Sequence, residues 1–167
     1  MKASELTLGQ IAEMLDQPQH RLVHLCEKGV VEPVKDAKGR GTVRRFDLDN
    51  VYCLAVALEL QRWGLQVVLI RRFVGMLLFL GQHYRKKSGE DTDLIRMFAD
   101  QEKECCVTWF LPSKLLFDTT DGRMSVDLTE ENIPLKSKRQ FGWPAESGSG
   151  LMLNLTRIAG DLRDRIG

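Results

Sequence analysis

Side chains able to do covalent or metal chemistry are few in this sequence, and their spacing does not assemble a site. There are three histidines and four cysteines, Cys26, Cys53, Cys105 and Cys106. The sequence has no glycine-rich phosphate loop and no His-Glu-x-x-His pattern, and nothing places a Ser, a His and an Asp together. Cys105 and Cys106 are adjacent, and neighbouring side chains on a strand point to opposite faces, so the pair is a poor metal clamp. No nearby His or Cys-x-x-Cys completes a metal site. The cysteines show no disulfide framework, as expected of free thiols in a reducing compartment. Neither catalysis, a cofactor nor a bound metal is therefore expected. What remains is charge. Residues 1–87 carry 14 Lys and Arg against 9 Asp and Glu, net +5, while residues 88–167 carry 10 against 14, net −4. Two ordinary solvated faces would also give this contrast, but a polyanion, if bound, belongs on the front half.

The elements that must hold those cations are legible in turn. Leu6, Leu8, Ile11, Ala12 and Leu15 recur at helical spacing, with Thr7 and Gln10 in a capping-box pattern. Asp16 and Gln17 break the run, and Pro18 suits the first turn of a second helix. Leu22, Val23, Leu25 and Cys26 give that helix an apolar face, and Gly29 is a natural stop. Two short helices joined by a tight turn form a helix-turn-helix candidate. Lys35 to Gly41 reads as a charged loop and Thr42 to Phe46 as a short strand, together a β-hairpin wing with a basic tip. Asp47 or Asp49 caps a helix from about Leu48 to Trp63, with Val51, Leu54, Ala55 and Leu58 on one face and Gly64 at its end. Gln66 to Lys87 reads as one longer helix. Its stripe of Ile70, Phe73, Val74, Leu77 and Leu78, flanked by Leu69, Met76 and Leu80, is too wide for packing on one side only. Either the C-terminal part or another copy of the chain must cover it.

Beyond Ser88 to Thr92, a polar linker, Asp93 to Glu104 reads as a helix and Cys105 to Leu111 as a strand. Lys114 to Leu128 reads as a hairpin turning at Asp121-Gly122, with Leu115 and Phe117 opposite Met124, Val126 and Leu128. Ser137 to Gly150 is loop-like. Leu151, Leu153 and Leu155 alternate as a strand, and Ile158, Ala159, Leu162 and Ile166 follow at helical spacing. Trp109, Phe110, Phe117, Phe141 and Trp143 suit the core of this unit better than a ligand pocket.

Lys28-Gly29-Val30-Val31-Glu32-Pro33 is similar to the Lys-Gly-Leu-x-Pro step that follows the second helix in the MerR family of winged helix-turn-helix regulators. Gly41-Thr42-Val43-Arg44-Arg45-Phe46 resembles that family's Gly-x-x-Arg-x-Tyr wing, and Trp63-Gly64-Leu65 its x-Gly-hydrophobic step. The likeness spans roughly residues 5–75, and the C-terminal part carries none. It implies that the second helix enters the major groove of double-stranded DNA. Gln19, His20 and Arg21 would meet base edges or phosphates there, with His24 and Lys28 further along the helix. Arg44 takes the wing arginine position, with Lys38, Arg40 and Arg45 adding charge; phosphate contacts of this kind set register, not sequence. The pattern departs at Leu22-Val23-His24-Leu25, where relatives carry Leu-Arg-Tyr-Tyr-like residues: Val23 stands for the Arg and Leu25 for an aromatic.

The expected fold is mainly α with small β. A MerR-like winged helix-turn-helix spans 1–65, a connecting and dimerisation helix 66–87, and a small α+β unit 88–167 that stabilises a dimer or binds an effector or partner. Ile70, Phe73, Val74 and Leu77 are the dimerisation candidates. The expected function is a non-enzymatic transcriptional regulator that binds a pseudo-palindromic site as a homodimer, its effector unspecified. Alternatives on the same scaffold are a protein-binding modulator of chaperone-partner type without DNA binding, and an accessory DNA-bending or excision protein. The N-terminus lacks an apolar core of signal-peptide length. The most apolar segment, Gln66 to Leu80, is short for a membrane span and holds Arg71 and Arg72. A cytoplasmic protein with no membrane partner is expected.

Overall fold

Thr7 opens the first helix, α1 (Leu8–Met14), as its spacing to Gln10 requires: its side chain accepts from the Gln10 N–H, and the Gln10 side chain accepts from the Thr7 N–H at 2.9 Å. The structure, a computed structural model, describes residues 5–36, 43–101, 104–110, 114–119, 122–127 and 151–166. Asp16 turns the chain with φ +51°, a left-handed conformation that Asp tolerates better than most residues. Pro18, with φ −59°, leads into α2 (Gln19–Glu27), and Gly29 at φ +66° ends it.

The wing is held at its base by two short bridges. Lys35 and Arg45 exchange backbone hydrogen bonds, as do Leu6 and Phe46. The expected strand Thr42 to Phe46 thus reduces to Arg45 and Phe46 among the described residues. Phe46 pairs with the segment before α1 instead of with the other arm of the wing. The tip, 37–42, lies outside the described residues.

Asp47 caps α3 (Leu48–Arg62) in a second capping box, with Asn50. This helix is the centre of the molecule. Burial runs around most of its circumference, from Val51 and Tyr52 to Leu58 and Leu60, not along the single face its apolar spacing suggested. Gly64, at φ +77°, separates it from α4 (Val67–Ser88).

The four residues expected at a dimer contact need correcting here. Ile70, Phe73, Val74 and Leu77 have no exposed surface in the single chain; they belong to the same core as α3. A stripe shows that something covers it, and here the cover is intramolecular. By length and composition alone α4 could cross a membrane.

Asp93 caps α5 (Leu94–Ala99), which is shorter than the expected helix to Glu104. Cys105 is tied to the start of α6: its N–H donates to the Thr156 hydroxyl at 2.8 Å and its carbonyl accepts from Leu155 N–H at 2.9 Å.

The back half forms an antiparallel sheet in the order β3-β2-β1-β4: β1 (Cys106–Phe110), β2 (Lys114–Thr119), β3 (Gly122–Asp127) and β4 (Leu151–Asn154). The hairpin forms, but its register is shifted by two from a turn at Asp121-Gly122: Gly122 is already a strand residue opposite Thr119, so Phe117 lies opposite Met124 and Leu115 opposite Val126 instead of Leu128. Asp121 and residues 128–150, including Leu128, Phe141 and Trp143, lie outside the described residues. The last helix, α6 (Leu155–Ile166), follows β4 directly and packs on α3 and α5. One apolar core therefore runs from Ile11 through α3 to Leu162. The architecture is mainly helical: a winged helix-turn-helix, a long helix and a small α+β part.

Candidate nucleic-acid interface

Two leucines fix the orientation of α2. Leu22 and Leu25 are fully buried, which turns Gln19, His20, His24 and Lys28 outward, all exposed. Three polar side chains thus share the solvent side of α2, with Lys28 at its C-terminal cap, and each of the four can donate hydrogen bonds. Leu25 cannot meet a partner without leaving the core, and Val23 is half-buried. Those two positions offer no charged group to a phosphate.

Arg21 differs from its neighbours. It is half-buried, and its guanidinium donates to the Gln17 side chain at 2.6 Å. That folds it back toward the turn between α1 and α2.

The wing supplies the next cation. Arg44 is exposed and pairs with Asp36 at 3.0 Å across the base of the wing. It also lies near enough to α2 to act on Cys26. Burial pushes the Cys26 thiol up from its ordinary value, and the Arg44 charge partly offsets this. Arg45 is half-buried, and its backbone is committed to Lys35. Lys35 itself pairs with Glu5. Lys38 and Arg40 lie outside the described residues.

Arg71 of α4 escaped the sequence reading. A Cβ placed on Gly29 would lie 3.6 Å from its guanidinium carbon, so this exposed arginine sits against the end of α2. Its only sequence signal was a charge interrupting an apolar stripe. The cationic rim of α2 thus draws on two further elements: the charge of Arg44 is felt at Cys26, and Arg71 lies beside Gly29.

Residues 6–76 match the family model described as MerR HTH family regulatory protein. This segment is a MerR-type domain. The match covers the helix-turn-helix, the wing, α3 and the first part of α4, and it stops before the sheet. At the level of the family, the MerR-type domain is that of a DNA-binding regulator. No curated protein sequence matches the chain.

The cysteines sit apart from this surface or only beneath it. Cys105, just before β1, is buried, and Cys106, its first residue, is half-exposed. Burial pushes the Cys105 thiol up to about 12 and the Cys53 thiol well above its ordinary value. Protonated thiols are poor nucleophiles and poor metal ligands. Among the described residues no three His, Cys, Asp or Glu side chains group as a metal site.

Proposed function

We propose that the protein is a cytoplasmic transcriptional regulator that binds double-stranded DNA as a homodimer on a pseudo-palindromic site, with no enzymatic step of its own. The outward face of α2 carries this reading: Gln19, His20, His24 and Lys28 are presented by a helix whose opposite side is anchored by Leu22 and Leu25. Gln19 suits adenine, and Arg21, once swung out from Gln17, suits guanine. Arg44 and Arg71 take phosphates on either side and set register. A two-fold dimer would place two such helices about 34 Å apart on successive major grooves. Its contact would use the solvent side of α4, where Val68 and Phe79 are 60% and 52% exposed.

The lack of a charged or aromatic side chain at Val23 and Leu25, with a net charge of only +1, favours a second reading, in which the same scaffold modulates a protein partner. Selection from a random DNA pool with the purified protein separates the two. Enrichment of inverted half-sites supports the regulator, and an unenriched pool with salt-insensitive retention on heparin supports the modulator.

A further inference from the structure

A groove of about 240 Å³ lies where the helix-turn-helix meets the back half of the chain. Its floor is apolar, made by Leu15, Ala55, Leu58, Ile158 and Leu162. Three arginines from three different helices line it: Arg21 of α2, Arg62 of α3 and Arg165 of α6. Among the described residues, Glu59 and Asp161 are the only carboxylates in the lining. Three guanidinium charges against two carboxylates leave one positive charge. That balance suits a monoanion and disfavours a polyanion. A guanidinium carries five donors in a planar fork that matches a carboxylate. Arg62 has only a loose contact with Glu59, at 3.8 Å, so most of its donors are open to an incoming anion. The volume is below the roughly 300 Å³ at which drug-sized sites begin, so the occupant is small.

We propose that this groove binds a small monocarboxylate with a short apolar body, the body lying on the leucine and isoleucine floor and the carboxylate held by Arg62 and Arg165. The site is placed to affect α2. Arg165 donates to the Met14 carbonyl at 2.8 Å, closing the end of α1, and Arg21 in the same lining belongs to α2. A carboxylate that recruits either arginine changes the contacts holding the turn between the two helices.

The test is a titration of the full chain with hexanoate, hexylamine and inorganic phosphate at constant ionic strength, followed by backbone-amide NMR. Hexanoate is expected to give saturable shifts at Leu15, Ala55 and Ile158, and hexylamine none. Arg62→Met, a change at an exposed position, is expected to weaken hexanoate roughly tenfold. Ile158→Trp fills the floor and should abolish the shifts while circular dichroism stays unchanged. Shifts that fail to saturate, map elsewhere or survive both substitutions would overturn the site. Equal shifts with phosphate would overturn the role of the apolar floor. Carboxylate binding is read without DNA, so its outcome is independent of whether the protein reads a DNA site.

Discussion

The Tyr52 hydroxyl donates to the Leu155 carbonyl at 3.0 Å, in the interior, across 103 positions of sequence. Tyr52 also stacks on Phe98, ring centroids 5.3 Å apart. One residue of α3 thereby ties the MerR-type domain to α5 and to the start of α6. Burial holds its phenol protonated well above the ordinary range, so the donor persists at any physiological pH. Tyr52→Phe keeps the ring and removes the bond, leaving a buried carbonyl unpaired. A loss of about 1–2 kcal/mol is expected from the urea midpoint, with the slope unchanged.

Asp49 and Arg85 should respond asymmetrically to mutation. They pair at 2.9 Å with 12% and 24% of their side chains exposed, and Asp49 also accepts from Leu94 N–H. Arg85→Ala strands a buried carboxylate and should cost more than Asp49→Asn, which keeps an acceptor for Leu94 and leaves an arginine that reaches water. The difference is read from paired denaturation curves.

Asp49 also sets a pH dependence. Burial raises its carboxyl above the ordinary value, outweighing the Leu94 hydrogen bond and the Arg85 charge. The native state therefore holds this proton where the unfolded chain has released it. The group's contribution to stability is greatest below the unfolded value and is lost as pH rises through the folded one. Asp49→Asn should flatten the part of the stability profile that lies above the ordinary carboxyl value, and an unchanged profile would contradict the burial argument.

Two glycines of α4 should give opposite signs on mutation to alanine. A Cβ at Gly75 meets nothing within 4 Å, so Gly75→Ala should stabilise by about 0.5–1 kcal/mol through helix propensity. At Gly81 it would lie 2.7 Å from Leu94, a fully buried side chain with little room to yield. Gly81→Ala should lower the melting temperature despite the same propensity gain.

On DNA, Arg44→Gln should weaken binding to all sequences alike and reduce the salt slope by about one, whereas Gln19→Ala should change sequence preference. Equal losses on every sequence for both variants would remove α2 from base reading.

The thiols should separate by rate. Cys106 and Cys26 are half-exposed and only raised, while Cys53 and Cys105 are buried. At neutral pH a thiol reagent should label the first two and reach the others only on unfolding.

The local stops and starts were readable because each has a cause within a few residues. Thr7 with Gln10, Asp47 with its helix, Gly29 and Gly64 all behave as their chemistry requires. The hairpin and the face of each side chain were readable from alternation, but its register was not, because a shift by two residues keeps every side chain on the same face. The cover of the Ile70 to Leu77 stripe was not, because an apolar face encodes a need for burial and not the identity of what buries it. Leu25 had looked like a missing DNA contact, but it anchors the helix. That Arg21 donates to Gln17 and must leave it to reach a base is a relationship that no spacing within α2 reveals.

The position of α6 has a consequence for synthesis. It covers α3 from roughly ninety residues further along the chain. At ribosomal speeds α3 then waits on the order of ten seconds for that cover after it emerges. The helix-turn-helix can form its caps during that interval, but the apolar surface behind it stays open. A nascent chain stalled in the sheet would display a nearly complete reading head on a sticky, unfinished base, and would be a substrate for chaperones before it was a competitor for DNA.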